Sequence, residues 1–143
     1  GFTVIYKYTA NFADIKNTGS DKLNQISFKK VFIIGCSQIL AIIPARGGSK
    51  GIVGKNLFQI NGKPLLYYTA SACLNSNLVS RTIVSTNDTK ISKVAKQIGT
   101  EVIMRPKHLS TDSSAVEPVL AHVLEHLKNT EKYTPDIIIL PQN

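Results

Sequence analysis

The chain has 143 residues, 43% of them apolar, 18% charged and 7% aromatic, a length and composition suited to one domain or to part of a larger one. Its formal charge of +8, from 17 basic and 9 acidic residues, points to an anionic partner, and because the basic residues alternate with glycine rather than with aromatic rings, a base-stacking nucleic-acid platform is excluded. Cys36 and Cys73 are far apart, without a CxxC or Cys/His spacing, which argues against a disulfide scaffold and a zinc site and suggests a reducing, cytoplasmic setting.

Residues 1–36 read as an N-terminal extension of unknown role. TVIYKYTANF has strand composition, and the polar stretch after it carries Asn17, Gly19, Ser20 and Asp21 as breakers. The apolar run from Val31 to Ala45 is too short for a membrane span and is interrupted by Ser37, Gln38 and Pro44. Lys29-Lys30 ahead of Ile33-Ile34-Gly35-Cys36 imitates a lipoprotein signal, but the apolar stretch before the cysteine is too brief to serve as one.

From residue 37 to 143 the pattern becomes regular. ILAIIPA at 39–45 is a continuous apolar run closed by proline and glycines, as expected of a strand buried on both faces. A turn is expected at Asn61-Gly62, and then a helix with Pro64 as its first residue, where a missing N–H costs nothing. Tyr67 and Tyr68 lie in this apolar helix and are expected in the core; Asn75 to Asn77 end it.

RTIVST at 81–86 reads as a second core strand. Asn87-Asp88 then cap a helix with Ile91, Val94, Ala95 and Ile98 on one face and Gly99 as its stop. EVIM at 101–104 is a third strand, residues 113–129 form an amphipathic helix, and DIIIL at 136–140 is a fourth strand. Strands alternating with helices imply an α/β class: three layers around a mostly parallel sheet, with ligands beyond the carboxyl ends of the strands. The loops 46–56, 86–88, 105–114 and 141–143 all fall at that edge.

From Arg46 to Lys63, a stretch that opens with the first of these loops, Arg46, Lys50, Lys55 and Lys63 occur with no carboxylate between them and with five glycines interspersed. The segment fails the Walker A pattern, which needs glycine at Ser49 and a hydroxyl residue at Asn56, and it lacks GxGxxG. What remains is a glycine-rich loop whose backbone can approach an anion closely, with cations spaced for a triphosphate and Ser49 able to donate to a phosphate oxygen. The bland alternative, a turn with solvated lysines, suits any one lysine but not the set, because cations crowded in a tight loop repel unless a polyanion supplies the missing charge.

IIPARGGSKGIVGKN, GKPLLYYT, TIVSTND and RPKHLSTDSS, in this order, resemble the acylneuraminate cytidylyltransferase family, which includes CMP-sialic acid synthetases, over residues 39–143. The resemblance implies a Rossmann-like nucleotide-diphospho-sugar transferase fold, incomplete at its C-terminus, with 37–143 as the N-terminal part of the CTP-binding domain. It also implies a magnesium-dependent transfer of CMP from CTP to the anomeric hydroxyl of a nonulosonic acid, in cell-surface polysaccharide biosynthesis. The roles it implies are catalytic for Arg46, Lys50 and Lys55, and nucleotide-binding for Ala45, Arg46, Gly47, Gly48, Ser49, Lys50, Asn56, Arg105 and Ser114. Ser114 reads equally as a helix cap.

Asp88 is read as a cap rather than a metal ligand. His108, His122 and His126 show no ligand spacing and are placed at the surface or an edge. The Mg2+ ligands, most sugar contacts and a homodimer interface are expected beyond residue 143, so this stretch alone is expected to be inactive. Two departures stand out: Val53 where the family carries proline, and Leu140-Pro141-Gln142-Asn143 where it reads LQPTSPLR. A 3-deoxy-manno-octulosonate cytidylyltransferase and a non-catalytic nucleotide-binding module are the alternatives.

Overall fold

The computed structural model describes residues 2–7, 38–48, 54–110 and 116–141. The elements are β1 (Phe2–Lys7), β2 (Ile39–Pro44), β3 (Gln59–Ile60), β4 (Lys63–Pro64), α1 (Leu65–Leu74), β5 (Arg81–Thr86), α2 (Thr89–Ile98), β6 (Glu101–Met104), α3 (Val116–Glu131) and β7 (Ile137–Pro141). The main sheet has the order β1-β7-β2-β5-β6, and β7, β2, β5 and β6 run parallel.

Each parallel strand alternates its side chains between two cores, which is why β2 and β7 read as continuously apolar. Leu40, Ile42, Ile83, Ile138 and Leu140 meet Leu120, Val123, Leu124 and Leu127 of α3 on one face. Ile39, Ala41, Ile43, Val84 and Ile137 meet Leu66, Ala70 and Cys73 of α1 and Ile91 and Ala95 of α2 on the other. The result is the three-layer α/β arrangement expected from the sequence. Burial pushes the Cys73 thiol up to about 11, so it behaves as a small core hydrophobe.

Local chemistry sets the element ends. Asn61 (φ 49) and Gly62 (φ 76) are both left-handed, as the two-residue turn of the short β3–β4 hairpin requires. Asp88 caps α2 by accepting from the backbone N–H of Lys90 (2.7 Å) and Ile91 (3.2 Å), and Gly99 closes it at φ 112.

Three expectations need correction. Pro64 is the residue before the first helical position, with ψ 150, and pairs with Gln59; its ring therefore sets the entry to α1 instead of sitting inside it. Tyr68 is 40% exposed because its hydroxyl donates to the Ile60 carbonyl on the hairpin, while Tyr67 is half-buried beneath Lys63. The last helix runs to Glu131, two residues beyond the expected end, because Leu127 still packs in the core and Glu131 pairs with Arg81.

The N-terminal strand was legible as a strand but not as part of this sheet: β1 pairs antiparallel with β7, with a register irregularity between Phe2 and Val4. Among the described residues no helix is long and apolar enough to cross a membrane.

Candidate functional site

Because β2, β5, β6 and β7 are parallel, the segments that leave their carboxyl ends emerge on one edge. The first extends the ladder by one residue, with the N–H of buried Ala45 donating to the Ser85 carbonyl at 2.9 Å. Arg46 follows, half-buried. Gly47 then donates its N–H to Asn87 Oδ1 at 3.0 Å, across forty residues of chain. A side chain at Gly47 would force Asp88 to shift, since a Cβ there would lie 2.6 Å from Asp88 Oδ2. Gly48 turns the chain at φ 72, a conformation that glycine adopts without steric cost.

Ser49 and Lys50 lie outside the described residues, as does Ser114. The loop is described again from Gly54 (φ 73), which leads into a single 3-10 turn over Lys55–Leu57. Lys55 is exposed, whereas Asn56 is buried and its Nδ2 donates to the Arg46 carbonyl at 3.4 Å. That amide ties the two arms of the loop together, a role the sequence did not disclose beside the expected contact to phosphate or ribose.

Arg105 is the central charge of the edge. Its backbone N–H donates to the Thr86 carbonyl at 2.9 Å, and its side chain is only 7% exposed. Nη1 donates to the Leu109 carbonyl at 3.2 Å, while Nε has no hydrogen-bond partner among the described residues. Arg105 also forms no ion pair among them. Burial, and then the positive charge of Arg46, hold its guanidinium below the ordinary arginine range. A buried arginine facing another arginine is complementary to an anion, and a guanidinium offers paired donors suited to phosphate.

Asp88 is committed to its cap, as expected, and no group of three His, Cys, Asp or Glu among the described residues could hold a metal ion. His108 and His126 are exposed. His122 is half-buried, with Nδ1 enclosed and without a partner among the described residues. Asn87 is the residue the sequence reading missed as part of the site. Its capping neighbourhood was visible, but its reach to Gly47 depends on β2 and β5 being neighbours.

A family profile for cytidylyltransferases matches residues 40–139, the span that holds most of both cores and the residues 45–48, 54–57, 86–88 and 105 of this edge. The chain belongs to the cytidylyltransferase family. As a cytidylyltransferase domain it is 36% identical to N-acylneuraminate cytidylyltransferase of Escherichia coli over 97 residues, which are 68% of this chain and 23% of that protein. It is also 36% identical to CMP-N,N'-diacetyllegionaminic acid synthase of Legionella pneumophila over 104 residues, 72% of this chain and 45% of that one. To 3-deoxy-manno-octulosonate cytidylyltransferase of Trichlorobacter lovleyi it is 43% identical over 90 residues, 63% of this chain and 34% of that one.

The structure of CMP:2-keto-3-deoxy-manno-octonic acid synthetase complexed with CTP superposes with a TM-score of 0.60 at 28% identity, covering 74% of this chain and 40% of the other. The cytidylyltransferase described here therefore shares that α/β nucleotidyltransferase fold. It spans between 23% and 45% of the length of the three relatives named above.

Proposed function

We propose that this chain is the CTP-binding part of an enzyme that transfers CMP from CTP to the anomeric hydroxyl of a sialic-acid-like α-keto acid sugar. The observation that carries the reading is the buried Arg105, with its Nε unpartnered among the described residues, beside Arg46 at the carboxyl edge of the sheet. In the reaction the sugar oxygen attacks the α-phosphorus, the bond from that phosphorus to the β-phosphate oxygen breaks, and pyrophosphate leaves while the hydroxyl proton passes to solvent. Negative charge grows on the bridging oxygen, so fixed cations supply most of the catalysis.

Arg46 and Arg105 are suited to bind the triphosphate; Lys50 and Lys55 complete the cationic loop, with Ser49 and Asn56 as polar donors and Ser114 beside the base and ribose. Ala45, Gly47 and Gly48 let the backbone approach the nucleotide. Magnesium belongs to the same reading, although no group of three His, Cys, Asp or Glu among the described residues could hold it. The proposal extends to a cytoplasmic homodimer for the longer protein, with this chain alone binding CTP without turnover.

A second reading, transfer to 3-deoxy-manno-octulosonate, is favoured by the 43% identity to an enzyme of that name and by the structural match. Isothermal titration of the chain with CTP and with ATP, magnesium present, tests the nucleotide reading: CTP-selective binding that Arg46→Ala abolishes supports it, and equal binding of both nucleotides overturns it. Pyrophosphate release from the longer protein with each sugar acid in turn separates the two substrates.

A further inference from the structure

We propose that Asn87 is a positioning residue for the nucleotide loop, its side-chain oxygen holding the Gly47 N–H and thereby setting where Arg46 stands relative to Arg105. The inference rests on the CTP reading above. Asn87 directly follows β5, which lies between β2 and β6, so it stands between the strands that deliver Arg46 and Arg105. Its oxygen accepts from Gly47 at 3.0 Å, while the Thr86 carbonyl beside it accepts from the Arg105 backbone at 2.9 Å. One corner of chain, 86–88, thus grips both arginine-bearing loops.

The corner is itself braced. The Asp88 N–H donates to Thr86 Oγ1 at 3.1 Å, and the Asp88 carboxylate is tied to the first turn of α2. Gly47 lets the loop backbone press against this brace, where any Cβ would collide with Asp88. The Gly47 N–H is turned inward, so its contribution in this structure is to loop placement. An amide oxygen suits the task better than a carboxylate: both accept the hydrogen bond, but a carboxylate adds negative charge beside the path of the phosphates.

The test uses the 143-residue chain, with NMR hydrogen exchange at the Gly47 amide and titration with CTP and CMP. In Asn87→Ala the Gly47 amide should exchange about tenfold faster and CTP should bind roughly threefold to tenfold more weakly, the range of one lost hydrogen bond. CMP, lacking the outer phosphates, should bind within about twofold of the parent, with the melting temperature retained. Asn87→Asp should keep Gly47 protected yet weaken CTP binding in a way that added salt relieves.

An amide that stays protected in Asn87→Ala overturns the proposal. So does an equal loss of CTP and CMP binding together with a lower melting temperature, which marks a merely structural role. If the parent chain binds no CTP, the nucleotide reading fails separately, and Gly47 exchange still decides whether Asn87 holds the loop.

Discussion

Arg81 and Arg105 stand at opposite ends of one parallel sheet, and their surroundings are built on opposite principles. At the amino edge Arg81 reaches Glu101 and Glu131, the latter at 2.8 Å, and lies over the Tyr133 ring at 4.6 Å. Hydrogen bonds to the two carboxylates, Glu101 first, push its guanidinium further above the ordinary arginine range. At the carboxyl edge Arg105 is more deeply buried, has no ion pair among the described residues and faces Arg46. The first arginine is satisfied by the fold; the second carries a desolvation cost that a bound polyanion would offset. Under the CTP reading, Arg105, which has no ion pair among the described residues, is the arginine of the two that would meet the nucleotide.

The largest test of this contrast is Arg105→Met. Losing a charge-assisted contact should weaken CTP binding by about 2 kcal/mol. Removing a buried charge that has no ion pair among the described residues should leave the urea midpoint unchanged or raise it. Titration and denaturation of the same variant read both arms, and a large drop in stability would place Arg105 with Arg81 as a structural residue.

Gly47→Ala should come next. The added Cβ meets Asp88, so the α2 cap is disturbed at a cost of about 1 kcal/mol in urea denaturation, with CTP affinity reduced as well. Arg81→Met is expected to do the converse of Arg105→Met, lowering the melting temperature by about 3 °C, typical of a partly exposed ion-pair cluster, while CTP titration stays unchanged.

The smallest effects are in pH. Hydrogen bonding to Arg81 holds the Glu131 carboxyl below its ordinary value of 4.5, so its stabilising share is complete above that value and lost as pH falls through the folded one. Glu131→Gln should flatten this acid limb. His122 is lowered from 6.5 chiefly by burial, then by His126; its unfolded form takes the proton first, so stability falls as pH drops below 6.5. Urea midpoints of His122→Gln across about pH 7 to about pH 5 should show a shallower decline than the parent.

Periodicity carried most of the fold. The runs at 39–45 and 137–140 are apolar at every position because both faces are covered, and Asp88 and Gly99 mark helix ends through chemistry local to a few residues. These features need only nearest neighbours, so they were legible residue by residue. The cationic glycine loop was legible for the same reason: charge density and the lack of carboxylates are properties of a short window.

What the chain order could not disclose were contacts that depend on which strands become neighbours. The β1–β7 pairing joins residues from opposite ends of the chain, the Asn87–Gly47 bond depends on β5 lying beside β2, and the Arg81 cluster gathers three segments. The sequence by itself determined the alternation of strands and helices, the cationic loop and the family resemblance, because each resides in local pattern. Only the tertiary structure decided that Arg105 is buried with no ion pair among the described residues while Arg81 has two carboxylate partners, because burial and pairing are set by sheet order and not by the neighbours along the chain.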